Sequence, residues 1–95
     1  EGGPRVVLAP GYPSPFSETT TLRYFVPRSC HVEVTVYSVS GRLVTTLSEG
    51  PAEPGWQTVH WDGRDQGGDL AASGVYCCVV TARGQSDRRA VVLVR

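Results

Sequence analysis

Methionine is absent from the chain, so the natural start codon is expected upstream of Glu1. Net charge is absent as well: nine basic and nine acidic residues cancel. A module that grips a nucleic-acid backbone needs a clear basic excess, because neutralised phosphates supply most of its affinity. Nucleic acid is therefore not an expected partner. No apolar run approaches the ~20 residues that a bilayer-crossing helix requires, and no membrane span is expected. Glu1-Gly2-Gly3-Pro4 lacks the basic-then-apolar character of a signal peptide and reads as linker, which places any export signal upstream. Cysteines number three, without a CxxC pair; that excludes the usual zinc spacing and a disulfide-dense scaffold. Charged residues are also sparse, at 19%.

What the chain does have is apolar content for one core. Ninety-five residues, 40% of them hydrophobic, fit a single domain with no room for a second interior. Val32, Val34 and Val36 alternate with Glu33, Thr35 and Tyr37, and Leu22, Tyr24 and Val26 alternate in the segment before Pro27. A period of two puts each set on one face of a strand. Further strand segments are Val6 to Ala9, Leu43 to Leu47, Trp56 to Asp62, Gly74 to Ala82 and Asp87 to Val94. Seven short runs separated by Gly, Pro and Ser predict an all-β, immunoglobulin-like antiparallel β-sandwich. Val32, Val34, Val36, Val59, Trp61, Tyr76 and Val80 are its expected interior.

The connections have their own chemistry. Ser40-Gly41 reads as a tight hairpin with Gly41 at positive φ, and Gly84-Gln85-Ser86 as a second hairpin. Gly50-Pro51 to Pro54-Gly55 reads as a rigid loop, and Gly63 to Ser73 is the longest irregular stretch. Pro10, Pro13 and Pro15 impose an extended, non-pairing path before Phe16 re-enters the core. Gly74 is expected to permit close approach where the next strand starts.

Four motifs go beyond a generic sandwich: Tyr12-Pro13-Ser14-Pro15-Phe16, Val36 to Val44 (VYSVSGRLV), Gly55 to Gly63 (GWQTVHWDG), and Ala72-Ser73-Gly74-Val75-Tyr76. With the closing Arg89 to Arg95 segment, their order and spacing resemble the C-terminal sorting domains of the type IX (Por) secretion family. They are also similar to the Ig-like domain of the flagellar hook-capping protein. The resemblance spans residues 6 to 95, with 1 to 5 as linker. The chain departs from the pattern at Ser14 and Ser17, where Asn is usual, at Ser38, where Asp is usual, and at Cys77 and Cys78. The resemblance implies a non-catalytic module of a secreted or cell-surface bacterial protein. It would carry an upstream passenger domain and be read by secretion machinery or joined to surface glycolipid. Arg89, Ala90, Val91, Val92, Leu93, Val94 and Arg95 would form the sorting strand. The alternative is a structural or assembly module whose sheet edges contact neighbouring copies of itself.

Asp62, Asp65 and Asp69 share a loop with Gly63, Gly67 and Gly68, weak candidates for calcium ligands; short acidic residues with glycines are also ordinary turn chemistry. No cofactor is expected. His60 and Asp62 share a strand face, but no nucleophile sits in a recognisable setting, so no catalytic residue is assigned. Trp56 is either a sugar-stacking ring or packed against the proline-rich loop. Arg83, Arg88, Arg89 and Arg95 read as solvated edge charges, or else as a patch for an anionic polysaccharide or lipid head group.

Among the cysteines, Cys78 shares parity with Tyr76 and Val80, and Cys30 with Val32 and Val34. One interior is therefore compatible with a Cys30–Cys78 bridge, with Cys77 outward. In an oxidising location such a bridge would close a loop of about 50 residues, worth roughly 3–4 kcal/mol. It requires Cα atoms within about 7 Å; otherwise these are reduced thiols, two of them acting as small core hydrophobes.

Overall fold

A computed structural model describes residues 5–95; except for Arg5, the expected linker lies outside the described residues. Seven strands follow in order: β1 (Val7–Leu8), β2 (Thr20–Val26), β3 (Cys30–Ser38), β4 (Leu43–Ala52), β5 (Gly55–Trp61), β6 (Gly74–Ala82) and β7 (Gln85–Leu93). They form two antiparallel sheets, ordered β1-β2-β5 and β4-β3-β6-β7. No helix occurs among the described residues. The period-two pattern gives the sandwich directly, because each strand offers one apolar face and only a second sheet can cover it.

Six of the seven residues expected inside are at most 7% exposed: Val32, Val34, Val36, Trp61, Tyr76 and Val80. They pack with Val6, Leu8, Phe16, Leu22, Tyr24, Val26, Cys78, Ala82, Val91 and Leu93. Val59 is the exception, packed against the core yet only partly buried. Its strand β5 is the last in its sheet, so one flank of Val59 has no neighbouring strand to cover it.

Trp61 anchors one end of the interior. Its ring meets Phe16 edge-on at 5.5 Å and Tyr76 edge-on at 5.0 Å, geometry that places positive ring edges on negative faces. Its Nε1–H donates to the Arg64 carbonyl at 2.9 Å, and the Tyr76 hydroxyl donates to the Ala72 carbonyl. Both polar tips are thus satisfied despite burial.

Several connections differ from expectation. The Gly41 turn is as read: Ser38 O accepts Gly41 N–H, Ser38 N–H donates to Arg42 O, and Gly41 has φ +88°. The second hairpin starts one residue earlier and is tighter, turning at Arg83-Gly84 alone with φ of +52° and +77° between the paired Ala82 and Gln85. Positive φ at both central residues is the type I′ arrangement, which matches the strand twist. Gly50 and Pro51 belong to β4 and pair with Val32 and His31, not to a loop; an edge strand tolerates proline because one row of its N–H groups bonds nothing. The proline-rich segment is not free of pairing either, since Tyr12 bridges Thr21 and Phe16 bridges Leu93. The close approach lies at Gly11 rather than Gly74. A Cβ on Gly11 would stand 2.7 Å from Val91 Cγ1, whereas one on Gly74 would meet nothing within 4 Å.

Candidate functional site

The resemblance implies that Arg89 to Arg95 form the sorting strand. Arg89 to Leu93 form the second half of β7, paired along β6 from Cys78–Arg89 to Gly74–Leu93, and Val94 and Arg95 follow the strand. Much of its outer edge is already occupied. Phe16 N–H donates to Val92 O, Phe16 O accepts from Val94 N–H, and Ser14 Oγ accepts from Val92 N–H. Val91 and Leu93 are core residues. The strand therefore seals the sandwich against the lead-in segment.

The first half of β7 has a different task. Gln85, Asp87 and Arg89 share parity with Val91 and face inward, where they meet β1 instead of core. Val6 N–H donates to Gln85 Oε1 at 3.1 Å, Leu8 N–H to Asp87 Oδ2 at 2.7 Å, and Arg89 Nε–H to the Leu8 carbonyl at 2.7 Å. Three side chains thus serve the outer main-chain edge of β1, groups that would otherwise be left unsatisfied. Of the arginines expected as edge charges, Arg89 belongs to this clasp. Arg95 also has a structural role: its guanidinium donates to the carbonyls of Ala71 and Gly63, and its N–H donates to Ser73 Oγ. Gly63 (φ +75°) leaves the space, since a Cβ there would stand 2.7 Å from the guanidinium. No free cluster of four cations results.

The acidic loop is engaged in its own turns. Asp65 Oδ1 accepts from Gly67 N–H and Asp69 N–H, and Asp62 Oδ1 accepts from Arg64 N–H. Arg64 also lies 3.9 Å from Asp62 Oδ2 and donates to the Gly68 carbonyl. Among the described residues no group of three His, Cys, Asp or Glu side chains is placed to hold a metal ion. Between this loop and the β3–β4 hairpin lies a groove of about 550 Å³, lined in part by Arg42, Leu43, Gln66, Leu70 and Tyr76.

The outer face of the smaller sheet carries a row formed by register: Val7 pairs with Phe25, and Phe25 with Trp56. Trp56 is 51% exposed. It leans on Phe25 (5.6 Å between centroids), with the Arg23 guanidinium 4.8 Å from the ring centroid. A cation on one face of the indole removes that face as a sugar platform. His60 faces outward on the same side, its Nδ1 3.0 Å from Thr21 Oγ1.

The Cys30–Cys78 bridge is excluded by register. Cys78 pairs across with Val36, six residues along β3 from Cys30, or about 20 Å at ~3.3 Å per residue. Parity assigned the right face, but it carries no information about position along the strand. All three cysteines are free. Cys78 is fully buried, and burial, assisted by the neighbouring Cys77, pushes its thiol up to about 12.

Two stacked antiparallel sheets with this strand order and a sealed closing strand define an Ig-like β-sandwich domain. The FlgD Ig-like domain family matches residues 16–86, and the chain belongs to that family. It is similar over 99% of its length to dimeric latent PorU from Porphyromonas gingivalis, with 26% identity and a TM-score of 0.67, and spans 10% of that chain. FlgD from P. aeruginosa aligns over 94% of this chain and 67% of its own, at 21% identity and a TM-score of 0.60, a likeness of fold. A search of curated proteins returns no match.

Proposed function

We propose that the chain is a non-catalytic sorting and surface-anchoring module of a larger extracytoplasmic bacterial protein. The observation that supports this reading is the likeness of 99% of the chain to 10% of PorU, which makes this fold one module of a larger chain there. An appendage acts on its passenger through recognition and attachment, and the chemistry fits. Asp62, Asp65, Asp87, Arg89 and Arg95 are committed to turns and clasps, and the most buried thiol is held far from its thiolate form. The upstream passenger, the secretion machinery and the surface glycolipid are the partners this role requires.

The test is a fusion of the domain to the C-terminus of a secreted reporter in a host with type IX secretion. Surface display is expected, and its loss is expected when Arg89 to Arg95 is deleted. Because that deletion also removes Val91 and Leu93 from the core, outward changes at Arg88 and Ala90 separate folding from recognition. A reporter delivered equally well with the domain unfolded refutes the sorting role. The FlgD family match supports the alternative of an Ig-like spacer or assembly module, for which delivery would be unaffected.

A further inference from the structure

A sandwich of two open sheets has four edge strands, here β1, β5, β4 and β7. Unpaired edges invite pairing with other chains, and proteins normally blunt them. Three of these edges are blunted. That of β1 is served by Gln85, Asp87 and Arg89. That of β7 is occupied at Val92 and Val94 by Phe16 and Ser14, and its earlier part carries the charged Asp87, Arg88 and Arg89. Strand β4 carries two register irregularities, Pro51, and a contact from Gln66 N–H to the Val44 carbonyl.

Strand β5 has none of these devices. On β2, Thr21 exchanges main-chain bonds with Tyr12, and Arg23 O accepts from Ala9 N–H. Leu22 and Tyr24 therefore direct theirs to β5, opposite Val59 and Gln57. Trp56, Thr58 and His60 are left pointing N–H and C=O away from the sheet, and among the described residues nothing bonds to them. The strand Gly-Trp-Gln-Thr-Val-His-Trp contains no Asp, Glu, Lys or Arg and no proline. Beside it, between the edges of β5 and β4, an open groove is lined in part by Tyr24, Val32, Gly50, Gln57 and Thr58. The half-buried state of Val59 is a consequence of the same bare flank.

We propose that β5 pairs antiparallel with β5 of a second copy about a two-fold axis through Thr58, giving one continuous six-stranded sheet. The strand is self-complementary in that register. Thr58 faces Thr58, Trp56 faces His60, and His60 faces Trp56, so three opposed pairs exchange six main-chain hydrogen bonds. On the outer face the pairing sets an indole beside an imidazole and two threonines together, favourable cross-strand combinations. On the inner face it brings Gln57 of one copy beside Val59 of the other, covering the valine that its own fold leaves half-buried. The uncharged strand and zero net charge let two copies approach without repulsion. The pairing needs nothing from the sorting role and can fail or hold independently of it.

Analytical ultracentrifugation of the chain from 10 µM to 1 mM tests this, with a shift from monomer mass to twice that mass expected. Thr58→Pro removes an N–H that the domain itself does not use and should keep the fold while holding the protein monomeric. Thr58→Asp and Thr58→Lys each place like charges face to face across the axis. Each alone should lose dimer at least tenfold, and mixing the two should restore a heterodimer. This charge-swap pair decides the matter if the proline variant does not fold. Wild-type protein monomeric at 1 mM overturns the proposal, as does a dimer indifferent to all three substitutions. Protection of the Trp56, Thr58 and His60 amides only when a different protein is added would assign the edge to that partner, and overturns self-pairing.

Discussion

Replacing Asp87 by alanine tests whether side chains substitute for a neighbouring strand along β1. The carboxylate accepts Leu8 N–H at 2.7 Å through Oδ2 and Arg88 N–H at 2.9 Å through Oδ1. The Leu8 side chain is fully buried, so its amide cannot turn to bulk water without moving core. An amide stripped of a charged acceptor in such a place costs about 1–3 kcal/mol. Taking about 2 kcal/mol, a domain of this size should melt roughly 8–16 °C lower, and its urea midpoint should fall by about 1 M. Asp87→Asn keeps an acceptor oxygen and should lose less than half as much. Arg88→Ala, one residue along and outward, should stay within about 0.5 kcal/mol. Urea melts followed by circular dichroism give the energies, and amide exchange at Leu8 reports the contact itself. If Asp87→Ala unfolds with wild-type stability while Leu8 remains protected, the clasp is not what holds β1.

Trp61→Ala should cost about 3–5 kcal/mol, since it removes the ring joining Phe16 to Tyr76, and a thermal melt within a few degrees of wild type would contradict that. Intact mass should be the same with and without reductant, three free thiols in each case, and native alkylation at pH 8 should spare Cys78, of whose thiol only about one part in ten thousand is ionised there. Stability should fall as pH rises from about 9, because the unfolded chain releases the Cys78 proton at the ordinary 9.0 while the folded chain retains it to about 12. The slope is about 1.4 kcal/mol per unit, and Cys78→Ala should flatten it in urea melts between pH 9 and 11. Arg95→Ala should speed amide exchange at Ala71, whose N–H bonds the Gly63 carbonyl, while global stability changes by less than about 1 kcal/mol.

The strand inventory was legible because burial on one face imposes a period of two, and local turn chemistry placed Gly41. What was not legible depends on neighbours rather than on sequence. Arg83 gives no sign that it adopts positive φ, so the second hairpin is expected one residue late. Pro51 looked like a loop residue, and only its place on an edge makes it a strand residue. Parity put Cys30 and Cys78 on one face, while their separation follows from a register fixed by the whole sheet. Val59 has the pattern of a core residue and falls short because β5 is terminal. At the candidate sites, the acidic residues and arginines were visible as types. Their partners, a Leu8 amide or a Gly63 carbonyl, belong to distant chain segments and leave no local trace.

The clasp between β1 and β7 also has a mechanical meaning. Val6 meets Gln85, and Leu8 meets Asp87 and then Arg89, so the two segments run side by side in the same direction; Phe16 and Leu93 repeat the arrangement. Tension applied between the two ends of the domain would pull the start of β1 and the end of β7 in opposite directions along their length. These bonds would then be loaded together in shear instead of one after another as in a zipper. A domain tethered through its ends would have its strongest resistance to extension where the chain enters and leaves it.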